Sequence, residues 1–169
     1  GKRKFGWKNG YHAKNTPYIN PHMSYGKFNY RIIPEGESDC HVLWFNNEPA
    51  IGIPGVNMMD AKTLEQVAGD SNDPLYIILE PDQLTSQTKP MQQLIENSPD
   101  YIQNRVLYIF NLPDGAKDPK ELHVNAPERF KERWEEAKAK AVPYAKFKAQ
   151  LLHRQTSKMF DRQIEFAKN

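Results

Sequence analysis

The side chains best suited to chemistry lie in one acidic stretch. Asp60, Glu65, Asp70, Asp73, Glu80 and Asp82 fall around expected loops and strand ends. Carboxylates gathered there could hold a cation or line an acidic substrate cleft. A solvated acidic face accounts for them more simply and is the reading preferred here. Asp39-Cys40-His41 offers a second chemistry, since a histidine beside a cysteine can favour the thiolate. Successive strand residues point to opposite faces, however, so the two would not meet in a regular strand. Cys40 therefore reads as a small buried apolar residue. The five histidines (His12, His22, His41, His123 and His153) show no metal-binding spacing. Gly52-Ile53-Pro54-Gly55 is too short for a dinucleotide fingerprint, and Pro54 sits where helix-opening amides are needed. The lysines of residues 1–10 lack the Ser/Thr of a phosphate loop, and no Gly-x-Ser-x-Gly elbow occurs. No catalytic, cofactor-binding or metal-binding residue is assigned, and neither a cofactor nor a small-molecule substrate is expected.

The elements that would position these residues can be read from periodicity and turn signals. Lys27–Ile33 alternates and predicts a strand with Phe28, Tyr30 and Ile32 on one face. Cys40–Phe45 and Ala50–Ile53 read as two strands of a hairpin through Asn46-Asn47-Glu48. Asp60 is a good N-cap for a short helix through Leu64 and Val67, stopped by Gly69. Leu75–Leu79 and Val106–Phe110 are apolar runs suited to buried strands. Thr88 could cap a helix with Met91, Leu94 and Ile95 inward, and Ser98-Pro99 opens a further short one. Asn125 reads as the cap of a tail helix carrying Phe130, Trp134, Ala137 and Ala141, which Pro143 should interrupt. A second helix with Tyr144, Phe147, Leu151 and Leu152 then continues toward Ile164. These elements predict an α+β fold with a small mixed sheet, an α/β layered sheet being the alternative. They divide the chain into an extended arm over 1–26, a core domain over 27–115, and a helical tail over 116–169.

Charge divides the chain along similar lines. Residues 1–33 carry seven bases and no acid, residues 34–100 twelve acids against two bases, and residues 101–169 fourteen bases against nine acids. The formal net charge of +2 conceals this division, which implies contact surfaces of opposite sign. A mean hydropathy of −0.79 is low for a self-contained globule and points the same way. In the arm, Phe5, Trp7, Tyr11 and Tyr18 interleave with Arg3, Lys4 and Lys8. Disordered linkers are poor in aromatic residues, whereas binding arms use them as anchors. The same pattern suits single-stranded nucleic acid, where bases stack on rings and cations meet phosphates.

These features point to a non-catalytic accessory or structural subunit of a large intracellular assembly. Its expected partners are other protein subunits, met through Arg3, Lys4, Phe5, Trp7, Lys8, Tyr11 and Tyr18 in the arm and Phe130 and Trp134 in the tail. A nucleic-acid-binding component, such as a peripheral organellar ribosomal protein, is the first alternative. A small enzyme with an acidic site around residues 60–82 is the second. One cysteine and no Asn-x-Ser/Thr acceptor favour an intracellular setting. An acid-free basic N-terminus suits a chain from which an organellar transit peptide has been cut, so the mitochondrion is the first choice and the cytoplasm the second. The competing account is a translation start at Met23. No apolar run approaches the roughly 18 residues of a membrane-spanning helix.

Overall fold

A computed structural model describes residues 16–53, 55–69, 71–79, 88–110 and 112–153. Three short parallel strands, β1 (Arg31–Ile33), β2 (Leu75–Ile78) and β3 (Val106–Ile109), lie side by side in chain order. A two-residue strand, β4 (Val142–Pro143), closes the row antiparallel to β3. Helices α1 (Glu37–Phe45), α2 (Ala61–Ala68), α3 (Thr88–Glu96), α4 (Asp100–Gln103), α5 (Pro119–Asn125) and α6 (Phe130–Ala139) accompany it. Residues 144–153 form a further helix, α7. The outcome is the expected α+β fold with a small mixed sheet.

Alternation along the strands sends side chains to both faces, and both are covered. Ile33, Leu75, Ile77, Val106 and Tyr108 pack with Leu64 and Val67 of α2, Leu94 and Ile95 of α3, Ile102 of α4 and Tyr144 of α7. Ile32, Ile78 and Ile109 point the other way, to Cys40 and Leu43 of α1, Leu122 of α5, and Phe130 and Trp134 of α6. Strands buried on both sides read as near-continuous apolar runs, as Leu75–Leu79 and Val106–Phe110 do.

Several elements depart from expectation. Cys40–Phe45 is not a strand but most of α1. Its first turn carries Glu37 and Asp39, which favour the positive end of a helix, and Gly36 takes the N-cap position at φ 119°. A four-residue apolar run cannot by itself tell helix from strand. Ala50–Ile53 is consequently no hairpin partner of that segment. It runs parallel to β1 through bridges Ile32–Ala50 and Glu35–Ile53, while Tyr18 pairs antiparallel with Gly52 on its far side. Strand character in Lys27–Ile33 is confined to Arg31–Ile33, because Tyr25–Lys27 is a 3-10 turn. In the tail, Asn125 ends α5 rather than capping a helix, and a 3-10 turn at Pro127–Arg129 leads into α6.

α2 follows the expected pattern and is locked at both ends. Asp60 Oδ1 accepts from the Thr63 amide at 2.8 Å, and Gly69 ends the helix at φ 67°. Arg31 then donates to the carbonyls of Val67 and Ala68 at 3.1 and 2.9 Å. Arg105 donates to those of Ala68, Gly69 and Asp73 at 3.0, 3.0 and 2.7 Å. These cations occupy the negative end of the helix and satisfy carbonyls that helix geometry leaves over. Burial and the like charge of Arg31 pull the Arg105 pKa down. α7 is fixed to α3 by Lys148 to Glu96 at 2.7 Å and by the Tyr144 hydroxyl, 3.2 Å from the same carboxylate oxygen.

Trp134 is fully buried against Phe130 at 6.0 Å between ring centres, and its indole N–H has no partner among the described residues. Trp134→Ala should therefore cost about 3–5 kcal/mol in chemical denaturation. Trp134→Phe should cost distinctly less, since no hydrogen bond is lost with the indole.

Candidate functional site: the carboxyl edge of the sheet

Three parallel strands end on one edge, and acids follow each of them in the sequence. After β1 the chain reads Pro34-Glu35-Gly36 and enters α1. Glu35 is half-buried and held by its bridge to Ile53, whose amide donates to the Pro34 carbonyl at 3.2 Å. Gly55, at φ 125°, lies beneath it, and a Cβ there would sit 3.5 Å from Glu35 Oε1. Two glycines with positive φ thus flank this carboxylate and let the backbone turn tightly around it. β2 is followed by Leu79, whose amide donates to the Ile109 carbonyl at 3.0 Å. Glu80 and Asp82 come one and three positions later in the sequence and lie outside the described residues. β3 leads to Pro113-Asp114-Gly115, where Asp114 takes φ 58° and pairs with Arg133.

A second layer of acids braces this edge. Asp39, 7% exposed in the first turn of α1, accepts from the Lys120 amide of α5 at 3.3 Å. Asp118 caps α5 by accepting from the Glu121 amide at 2.7 Å, and Glu121 Oε2 accepts from the Lys117 amide at 2.9 Å. This reciprocal pair fixes the start of α5. At the amino end of β1, away from this edge, Tyr30 donates to Glu48 Oε2 at 2.8 Å. Lys138 donates to the Tyr30 hydroxyl at 3.1 Å and pairs with Glu135 at 2.8 Å. Burial, reinforced by Glu48, raises the Tyr30 pKa, so this hydroxyl stays a donor.

Of the acids singled out at residues 60–82, Asp60 caps α2, Glu65 accepts from Tyr101, and the backbone carbonyl of Asp73 accepts from Arg105. Asp70 lies outside the described residues. Among the described residues, no three His, Cys, Asp or Glu side chains converge as a metal site. Tyr18 packs on its own chain, 5.6 Å from the His41 ring and 5.2 Å from Trp44, with its hydroxyl 2.7 Å from His41 Nε2. Phe130 and Trp134 are core residues of the same body, 1% and 0% exposed. Arg3, Lys4, Phe5, Trp7, Lys8 and Tyr11 fall outside the described residues. A strand reading of α1 hides the position of Glu35 at the β1–α1 junction. An acid next to glycine directly after an apolar run is the signal that could have found it.

No family model matches the chain, and no curated protein matches it. Solved structures do. The DnaG primase catalytic domain bound to ssDNA is similar over 86% of this chain and 44% of its own, with a TM-score of 0.65 and 20% identity. The RNA polymerase domain of Mycobacterium tuberculosis primase DnaG is similar over 74% of this chain and 41% of its own, with a TM-score of 0.51 and 14% identity. The chain thus spans under half the length of either. These likenesses correct the expectation of a non-catalytic structural subunit, since the fold is one that primase catalytic domains use. They equally overturn the expectation that the chain is not an enzyme. No described helix is long and apolar enough to cross a membrane.

Cys40 is fully buried, and burial, reinforced by Asp39 and Glu37, pushes its thiol up to about 12 from 9.0. The thiol should resist alkylation in the native protein at pH 8 and react promptly after unfolding, as mass spectrometry would show. Because its folded pKa is raised, its contribution to stability is complete below about pH 9 and is lost as the pH climbs toward 12. Rapid native labelling would contradict this.

Proposed function

We propose that this chain is the catalytic-fold portion of an enzyme acting on nucleic acid, with phosphoryl-transfer chemistry at the carboxyl edge of the sheet. The observation that carries the reading is Glu35 at the end of β1, in a fold resembling a primase catalytic domain that was solved with ssDNA. Open sheets with parallel strands bind ligands outside the carboxyl ends of those strands. Glu80 and Asp82 follow β2 in sequence.

This donor set is carboxylate oxygen alone, which suits Mg²⁺ rather than a metal that prefers sulfur or imidazole. Cys40 is buried in the apolar cluster and unavailable as a ligand. Glu35, Glu80 and Asp82 would hold the ion. When bound, it would neutralise charge developing on phosphate oxygens. Glu35 enters that role already oriented, with its backbone tied to Ile53 and its flanking glycines leaving room for a substrate backbone. Lys2, Arg3, Lys4, Lys8, Lys14 and Lys27, in a stretch of 33 residues without an acid, would supply cations for the phosphates of a single strand.

The test is template-directed nucleotide polymerisation on single-stranded DNA with Mg²⁺. Glu35→Gln and Asp82→Asn should each lower the rate by about a hundredfold or more, at unchanged melting temperature and unchanged single-strand affinity. Variants as active as the parent would defeat the proposal. Tight single-strand binding without any Mg²⁺-dependent turnover, in the parent as in the variants, would leave a binding role alone.

A further inference from the structure

Beside the carboxyl edge lies a cleft of about 280 Å³ between the 3-10 turn Val56–Met58, the start of α2, and α3. It begins two residues past Gly55, over which the Glu35 carboxylate sits. Met59 and Leu94, 7% and 6% exposed, are its apolar lining, joined by Ala61 and Pro90. Around them stand three carboxamides, Asn57, Gln93 and Asn97. All three are exposed, and none makes a side-chain hydrogen bond among the described residues. The remaining polar residue, Asp60, has one oxygen committed to capping α2.

Uncommitted amides over an apolar floor are chemically specific. Each carboxamide presents a donor and an acceptor in one plane, the arrangement that pairs with the edge of a nucleobase. Among the described residues the lining carries no cation, so it offers no partner for phosphate. Its volume falls at the small end of ligand pockets and suits one planar ring system rather than a whole nucleotide. From this we infer that the cleft receives the base of a nucleotide, with Gln93 and Asn97 as the residues that discriminate among bases. The inference rests on the nucleotide chemistry proposed above, because the base would belong to a substrate whose phosphates lie at the carboxylate edge.

The experiment titrates the full chain with adenosine, guanosine, cytidine and uridine, following the side-chain amide signals of Asn and Gln by NMR. A parallel titration uses ATP, GTP, CTP and UTP with Mg²⁺. One or two bases should perturb the amides selectively. In a Gln93→Leu, Asn97→Leu double variant of unchanged melting temperature, that preference should fall at least about fivefold. Equal binding of all four nucleosides, no binding of any, or a preference that survives the double substitution would overturn the inference. Glu35→Gln separates it from the reading on which it rests. Base preference that persists in Glu35→Gln while Mg²⁺-nucleotide binding weakens supports both. Base preference with no effect of Glu35→Gln on the triphosphates keeps the cleft and removes the carboxylate edge. A Glu35 effect without base preference does the reverse.

Discussion

The structure depends on the shared direction and register of β1, β2 and β3. Ile33, Ile77 and Tyr108 stand in one row across the sheet, so all three strands finish within a residue or two of one another. The carboxyl edge exists as a single edge because of that alignment. A parallel sheet must carry its connections over its faces, and here those connections are the helices that bury Ile32 and Ile78 on one side and Ile33 and Ile77 on the other. The acids at the strand ends are thus held by a core that has no polar role itself.

The opposite edge is held by different means. Arg31 and Arg105 both reach the last carbonyls of α2, although two guanidinium groups repel each other. The arrangement works because backbone carbonyls, already biased negative at a helix end, take the place of a carboxylate. It ties β1 and the entry to β3 to one helix terminus and so fixes the helix layer on that face. Gly69 belongs to the same joint, since a Cβ there would lie 2.6 Å from an Arg31 nitrogen. Sheet and helices are thereby made rigid at the end away from the proposed chemistry, while the chemical end keeps its glycines.

Much of this is legible in the sequence, and the failures have physical causes. The caps and apolar spacing of α2 and the doubly buried strands β2 and β3 can be read directly, because local signals and tertiary environment agree there. α1 cannot. Val42-Leu43-Trp44-Phe45 satisfies strand and helix alike, and only the packing of Cys40 and Leu43 beneath the sheet decides it. That one ambiguity hides the β1–α1 junction and with it the placement of Glu35. The acids in and around α2 attract attention because they are dense in sequence, yet density along a helix does not make convergence in space. Phe130 and Trp134 have the spacing of one helical face, but spacing cannot say that the face meets its own chain's core.

Gly52 and Cys40 carry an implication for how this protein can change over time. A Cβ at position 52 would lie 2.6 Å from the Cys40 sulfur and 3.3 Å from Tyr18 Cβ, with the backbone pairing of Tyr18 and Gly52 closing the remaining side. The two positions share a single allotment of volume. A lineage that gains a side chain at position 52 must give up bulk at position 40, and one that enlarges position 40 must keep glycine at 52. Substitution histories at these sites should therefore be correlated, with alanine or glycine at 40 as the intermediate through which any exchange passes.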